Sequence, residues 1–414
     1  MPTTSILKLA IPLSETLDLV SPLVMNHHRK VAYIAYLLGT ELNLPLAQKR
    51  ELLLSGIFHD VGALSRKDRI DSLLFDMNNP HQHAEIGYQL LREFGPFATA
   101  AKIIRFHHVR WDGGKGQYYA GCKVQLESHI IHLADRIAVL LPDPSVVLNK
   151  AKKIHQEILR LSGTWFHPDC VEAFGNLVDK EYFWLDAALP TDPLCFIGDI
   201  DPVEPDSAVV RDLTRLFSRV IDFRSPFTAT HSSGVAACAE VLARLIGFSK
   251  QDVRLMKSAG YLHDLGKLAI PTDILDKKAR LTTSEYNTMR AHSYFGYRTL
   301  QKIPALQTIN LWGSLHHERL DGSGYPFHLE GNDIPFGSRV IAVSDILTAL
   351  LEDRPYRKGF SPDKALKMIA GMGRKGLLDG DLVNVLKLNF VEIKEILLNV
   401  SAETLGDYRR VFEP

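Results

Sequence analysis

Two stretches of the 414-residue chain, "IIRFHHVRWDGGKG" at 103–116 and "GSLHHERLDGSGYP" at 313–326, each carry paired histidines followed by an Asp-Gly turn. With the later pair go His231, His263, Asp264, His292, His316, His317 and Asp345; with the earlier pair go His27, His59, Asp60, His83, His107, His108 and Asp135. A lone histidine is most often a surface or satisfied core residue, but five imidazoles and two carboxylates without cysteine make a donor set suited to divalent iron, manganese or zinc. Seven donors are too many for one ion that must also hold a substrate. They suit two ions that share a bridging carboxylate and keep positions open for water and phosphate. Asp264, directly after His263, is the expected bridge. Adjacent helical residues point about 100 degrees apart, so the pair reaches the site from two directions. Lys267, one turn further on, is the expected phosphate clamp.

The spacing is that of a duplication. His27 to His59 spans 32 positions, as does His231 to His263, while His83 to His107 and His292 to His316 both span 24. The double histidines lie 27 and 28 residues before Asp135 and Asp345, and "DLVSPLVMNH" (18–27) matches "DFRSPFTATH" (222–231) at an offset of 204. Only 17 histidines occur in the whole chain, too few for chance to set five of them in register.

The elements that must position these side chains read as amphipathic helices, for example "RKVAYIAYLLGTEL", "GVAACAEVLARLIG" and "DKALKMIAGMG", with apolar residues recurring at three and four. Alternating strand patterns are scarce. The expected fold is therefore all-α, two tandem helical bundles related by internal duplication. A segment with four prolines and no helical period, "LPTDPLCFIGDIDPVEPDS", marks a linker at 189–207 between domains at 1–188 and 208–414.

Charge is balanced at 48 basic and 48 acidic residues, so no overall field draws the chain to nucleic acid or an anionic membrane. Charges break the apolar stretches "HIIHLADRIAVLL" and "SRVIAVSDILTALL" well short of the roughly 20 residues of a membrane span. The N-terminus lacks the pattern of a cleaved signal. Cys122, Cys170, Cys195 and Cys238 stand singly and read as reduced core residues. The expectation is a soluble, cytoplasmic protein.

"YLHDLGKLAIP" (261–271), "HHERLDGSGYP" (316–326) and "DRPYR" (353–357) together resemble the HD-GYP domain, a branch of the HD phosphohydrolase superfamily, over essentially all of residues 210–414. The resemblance implies a helical bundle whose metal centre hydrolyses cyclic di-GMP, or 3′3′-cyclic GMP-AMP, to a linear dinucleotide and in some cases to mononucleotides. Carried over, His231, His263, Asp264 and Asp345 would hold one ion and Asp264, His292, His316 and His317 the other, with iron or manganese expected. Asp264 and Lys267 would be catalytic. Lys267, Arg354 and Arg357 resemble the family's phosphate and ligand contacts, and an Arg fork suits bidentate phosphate binding. Gly322, Gly324, Tyr325 and Pro326 would shape the loop beside the site and meet partner proteins, a diguanylate cyclase (GGDEF) being the expected one. Where some members place a third-metal glutamate, four residues before the first histidine, this chain has Phe227, so two ions are expected.

The N-terminal half keeps all seven donors, a second candidate metal set, but has Ala63 in place of Lys267 and Lys115-Gly116-Gln117 in place of Gly324-Tyr325-Pro326. "RIAVLLPDP" stands where the other half has "DRPYR". This half resembles a degenerate HD domain with a regulatory or scaffolding role. Two competing readings are a generic HD nucleotide phosphohydrolase, against which the "GYP" and "RPYR" segments speak, and a module that senses a cyclic dinucleotide or docks a partner without turnover.

Overall fold

The computed structural model describes residues 6–19, 24–77, 79–189, 207–355 and 357–412. The chain divides into two compact units that part between Pro205 and Asp206. Residues 190–206 of the expected linker lie outside the described residues.

Among the described residues each unit holds ten α-helices, and they recur in the same order. His27–Glu41, Leu46–Phe58, His81–Leu91, Ala98–Arg105 and Leu126–Leu140 correspond to His231–Leu245, Lys250–Leu262, Thr283–Gln301, Gln307–Ser314 and Phe336–Leu351. One short antiparallel pair, Tyr118–Tyr119 with Cys122–Lys123, is the β-sheet among the described residues. The all-α expectation holds.

Local signals set where these helices begin. Thr282 accepts from Glu285 N while the Glu285 carboxylate accepts from Thr282 N, a capping box that satisfies two end groups of Thr283–Gln301. Ser249 accepts from Asp252 N at the head of Lys250–Leu262. The helices then bury their apolar stripes. His231–Leu245 buries Val235, Ala236, Cys238, Ala239 and Leu242, and its counterpart buries Val31, Ala32, Ile34, Ala35 and Leu38. In the N-terminal unit Val31, Ile34, Ala35 and Leu38 pack with Ile130, Ile137, Phe174, Phe183 and Trp184 into one core.

The second and third ligand-bearing segments touch backbone to backbone. A Cβ on Gly266 would lie 1.9 Å from His292 O, and one on Gly62 would lie 2.1 Å from His83 O. Only glycine lets the turn after each His-Asp pair approach the helix that carries the next histidine.

Cys170 and Cys238 are buried as expected, but Cys122 is exposed because it sits on the two-residue strand at the surface; Cys195 lies outside the described residues. Among the described residues no helix is long and apolar enough to cross a membrane.

Candidate metal centre

Backbone carbonyls three residues back aim three of the candidate ligands. His263 follows the last residue of Lys250–Leu262, where backbone carbonyls lack helical partners. Its Nδ1 bonds Gly260 O at 2.8 Å, which turns Nε2 into the bundle. His316 does the same with Gly313 O (2.7 Å) and His292 with Met289 O (2.6 Å). A ring nitrogen spent on the backbone orients the other toward an ion.

The inward atoms converge. Ligand atoms of His231, His263 and Asp264 lie within 4.8 Å of one another, as do those of His292, His316 and His317. Asp264 links the groups: its Oδ2 is 3.1 Å from His263 Nε2 and 3.7 Å from His231 Nε2, and its Oδ1 is 3.3 Å from His292 Nε2. Asp345 Oδ1 stands 3.3 Å from His231 Nε2. His263 Nε2, Asp264 Oδ1 and His316 Nε2 are buried without a partner in hydrogen-bond geometry. Each such atom costs about 1–3 kcal/mol. A donor set that pays this cost at one point fits a cation.

The same construction stands in the other unit. His59 and His107 bond Gly56 O (2.8 Å) and Ile104 O (2.6 Å), and His59 Nε2, Asp60 Oδ1 and His107 Nε2 are the unpartnered atoms. His27, His59 and Asp135 form one close group and Asp60, His83, His107 and His108 the other.

The HD-domain family model matches residues 24–140, and a second HD-domain model matches 215–382. The 3′3′-cGAMP-specific phosphodiesterase 1 of Vibrio cholerae is 31% identical over 395 residues, covering 91% of this chain and 90% of the relative. The chain belongs to the HD-GYP family. The cyclic di-GMP phosphodiesterase response regulator RpfG of Xanthomonas campestris is 37% identical over 187 residues, covering 44% of this chain and 49% of its own. A crystal structure of a cyclic GMP-AMP-specific phosphodiesterase of V. cholerae shares the fold, with a TM-score of 0.62 at 24% identity, covering 94% of this chain and 98% of that one.

Burial and neighbouring charges set the protonation of the candidate ligands of this tandem HD-GYP chain in opposite directions. Burial, with His263 beside it, pushes His316 down to about 3, and burial and His316 hold His317 well below the usual imidazole range. Both rings keep a lone pair for coordination. Burial opposes ionisation of Asp264, yet His263 and Lys267 outweigh it and hold the carboxyl well below the usual range. Burial also disfavours a charged His231, but Glu352 and Asp345 push it up to about 9.

Two local expectations change. His263 and Asp264 do not share one helix, because the α-helix ends at Leu262 and Asp264 precedes a short 3-10 turn, Leu265–Ala269. The pair spreads through that break. Lys267 is then three residues from Asp264 across a single turn, and its Nζ donates to Asp264 Oδ2 at 2.5 Å. The expected clamp is thus paired with the carboxylate expected to bridge.

Arg354 Nη2 lies 3.4 Å from His231 Nδ1 and 3.7 Å from Glu352 Oε2, beside the first ligand group. Arg357 serves the loop instead. It donates to Ala349 O (2.7 Å) and Lys358 O (3.1 Å) and lies over Phe360, and none of these contacts is with the cluster. In the loop of Gly322, Gly324, Tyr325 and Pro326, the Tyr325 ring lies 4.7 Å from His317, with Arg290 on it at 4.8 Å. A Cβ on Gly324 would lie 2.4 Å from Arg319 N, so the loop needs glycine to fold against the double-histidine segment. Glu318 holds it there by accepting from Phe327 N and Leu329 N.

Sequence reasoning missed Glu352. Its Oε2 is 2.9 Å from His231 Nδ1 and its Oε1 accepts from Thr230 at 3.0 Å, so a buried carboxylate, not a carbonyl, orients this ligand. The residue directly precedes "DRPYR", but a single Glu at a helix end carries no periodic signal.

Proposed function

We propose that the C-terminal domain hydrolyses a phosphodiester bond of a cyclic dinucleotide to give the linear dinucleotide, with His231, His263, Asp264, His292, His316, His317 and Asp345 as its metal ligands. One observation supports this most: the buried, partly unpartnered His/Asp cluster is flanked by Lys267 and Arg354, and both line a cavity of about 840 Å³. That volume matches a site for a ligand of dinucleotide size, in the range of roughly 300–1,000 Å³.

Two divalent ions, iron or manganese, held there would draw charge from the phosphoryl group and acidify the attacking water. The chain's own groups do the rest. Lys267 has only to turn from Asp264 to meet a phosphate oxygen, and Arg354 offers its free N–H groups from the other side. Tyr325 and Arg290 wall the site beside His317 and limit water, while Phe227, Tyr286 and Met289 give the cavity apolar surface for a base.

The relative matched over 91% of this chain is named for 3′3′-cGAMP, which makes that dinucleotide the first to test and cyclic di-GMP the second. We read the loop 321–326, exposed at Asp321 and Ser323, as the place where a diguanylate cyclase would dock, and the cytoplasm as the compartment. The N-terminal domain, with its own donors but without the lysine and the GYP loop, supports rather than catalyses. The test is chromatographic product analysis with protein loaded anaerobically with ferrous or manganous ion. Linear product from either cyclic dinucleotide is expected; tight binding without product would favour the sensor reading.

A further inference from the structure

We propose that the N-terminal constellation is a closed, structural metal centre, sealed by Arg136 and the strap of residues 72–77. This rests on the reading that HD donor sets of this chain hold metal, and adds that this one admits no substrate.

Arg136 is the seal. It follows Asp135 in the helix Leu126–Leu140, and its guanidinium is buried with the aspartate, both side chains no more than 2% exposed. Nη2 bonds Asp135 Oδ2 at 2.5 Å and Ser72 O at 3.0 Å, Nη1 bonds Phe75 O at 3.0 Å and also Leu74 O, and Met77 Sδ lies 3.9 Å away. One arginine thus consumes the outer oxygen of a ligand carboxylate and the backbone acceptors of the strap. Asp135 Oδ1 is left facing His27 Nε2 at 3.1 Å. The corresponding residue beside Asp345 is Ile346, which offers no donor.

The strap begins at the helix Arg66–Asp71, whose capping box on Ser65 fixes its start. Arg69 on that helix is buried among the charges of Asp18 and Asp60, a cation built into the cover. Outside, Arg110 lies 3.6 Å from the Trp165 ring and bonds Asp76 at 2.8 Å, which closes the rim. Among the described residues, His108, Arg136 and Trp165 line a cavity of about 20 Å³, against about 840 Å³ beside Lys267. The smaller space holds about one water molecule, not a phosphate ester. Ions in a centre so covered leave only when the strap opens, so they tie His27–Glu41, His81–Leu91 and Leu126–Leu140 together.

The experiment follows metal content per chain by mass spectrometry during incubation of manganese-loaded protein with EDTA. Two classes of release are expected, the slow one absent from His59→Ala/Asp60→Ala and retained in His263→Ala/Asp264→Ala. Arg136→Gln should speed the slow class by about tenfold, the usual scale for losing a contact behind a ligand. If His59→Ala/Asp60→Ala binds as much metal as wild type, the underlying metal reading fails. If metal is bound but released in one fast class, or Arg136→Gln releases at the wild-type rate, the sealing fails. Should Arg136→Gln not fold, p-nitrophenyl phosphate offered to His263→Ala/Asp264→Ala decides. No turnover is expected, and turnover abolished by adding His59→Ala/Asp60→Ala would show an open catalytic centre and overturn the proposal.

Discussion

The two domains hold the same seven donors on the same helices, and differ in almost everything that touches those donors from outside. Lys267 stands against Ala63, Ile346 against Arg136, and Glu352 against Pro142. One domain has a large cavity beside its cluster and the other a strap pinned across it. The donors sit at helix ends and, for His292 and Asp345, inside helices, positions that a duplicated bundle reproduces. Access and charge follow from the loops and from single residues behind the ligands, which diverge without disturbing the bundle.

Removing donors should separate the domains most sharply. His263→Ala/Asp264→Ala is expected to lose linear-dinucleotide formation by about 10³-fold or more, since several kcal/mol of charge stabilisation goes with the ions. His59→Ala/Asp60→Ala should keep most of the turnover when assayed by the same chromatography. Equal losses in both would end the division into catalytic and supporting domains.

Charge beside the cluster comes next. Lys267→Ala is expected to lower kcat about 10²-fold, the scale of losing one transition-state donor. Ala63→Lys, placed in the His263→Ala/Asp264→Ala chain, should create no turnover, because the strap still covers the N-terminal cluster. Activity gained by that lysine alone would show that access does not divide the two sites.

A smaller effect is expected behind His231. Glu352→Gln should weaken manganese binding to the C-terminal domain by about tenfold, measured by calorimetry, as the imidazole loses its orienting carboxylate. The N-terminal class of sites should not change, since Pro142 stands at the matching position. An unchanged C-terminal affinity would reduce Glu352 to a packing residue.

The mildest test is pH. His107 and His316, pushed down to about 3 chiefly by burial, stay neutral in the metal-free fold while the unfolded chain takes protons below 6.5. Their contribution is present above that value and lost as pH falls. His59 and His231 are pushed up to about 9, against burial, chiefly by Asp60 and by Glu352 respectively. They stabilise fully below 6.5 and cease to do so as pH rises through 9. The thermal midpoint of metal-free protein should therefore peak near pH ~6.5, and metal should flatten the profile by replacing protons at the same atoms. A midpoint still rising at pH 9 would contradict these directions.

Much of this was legible in the residues alone. Helical periodicity specified an all-α chain, because each helix must bury one stripe. Repeated histidine intervals specified two donor sets, because the spacing between ligands is fixed by the helix lengths between them, as with His59 after Leu46–Phe58 and His263 after Lys250–Leu262. The lost lysine and GYP loop marked the first half as altered. Tertiary structure alone decided which groups meet those donors. Arg136 could have pointed to solvent like any helical arginine, and its burial depends on carbonyls 61 to 64 residues away. Glu352 reaches a histidine 121 residues distant, and Arg357 turns to the backbone although its motif suggested the ligand. Such contacts lie between segments remote in the chain. They depend on which helix end faces which loop, and no local pattern records that.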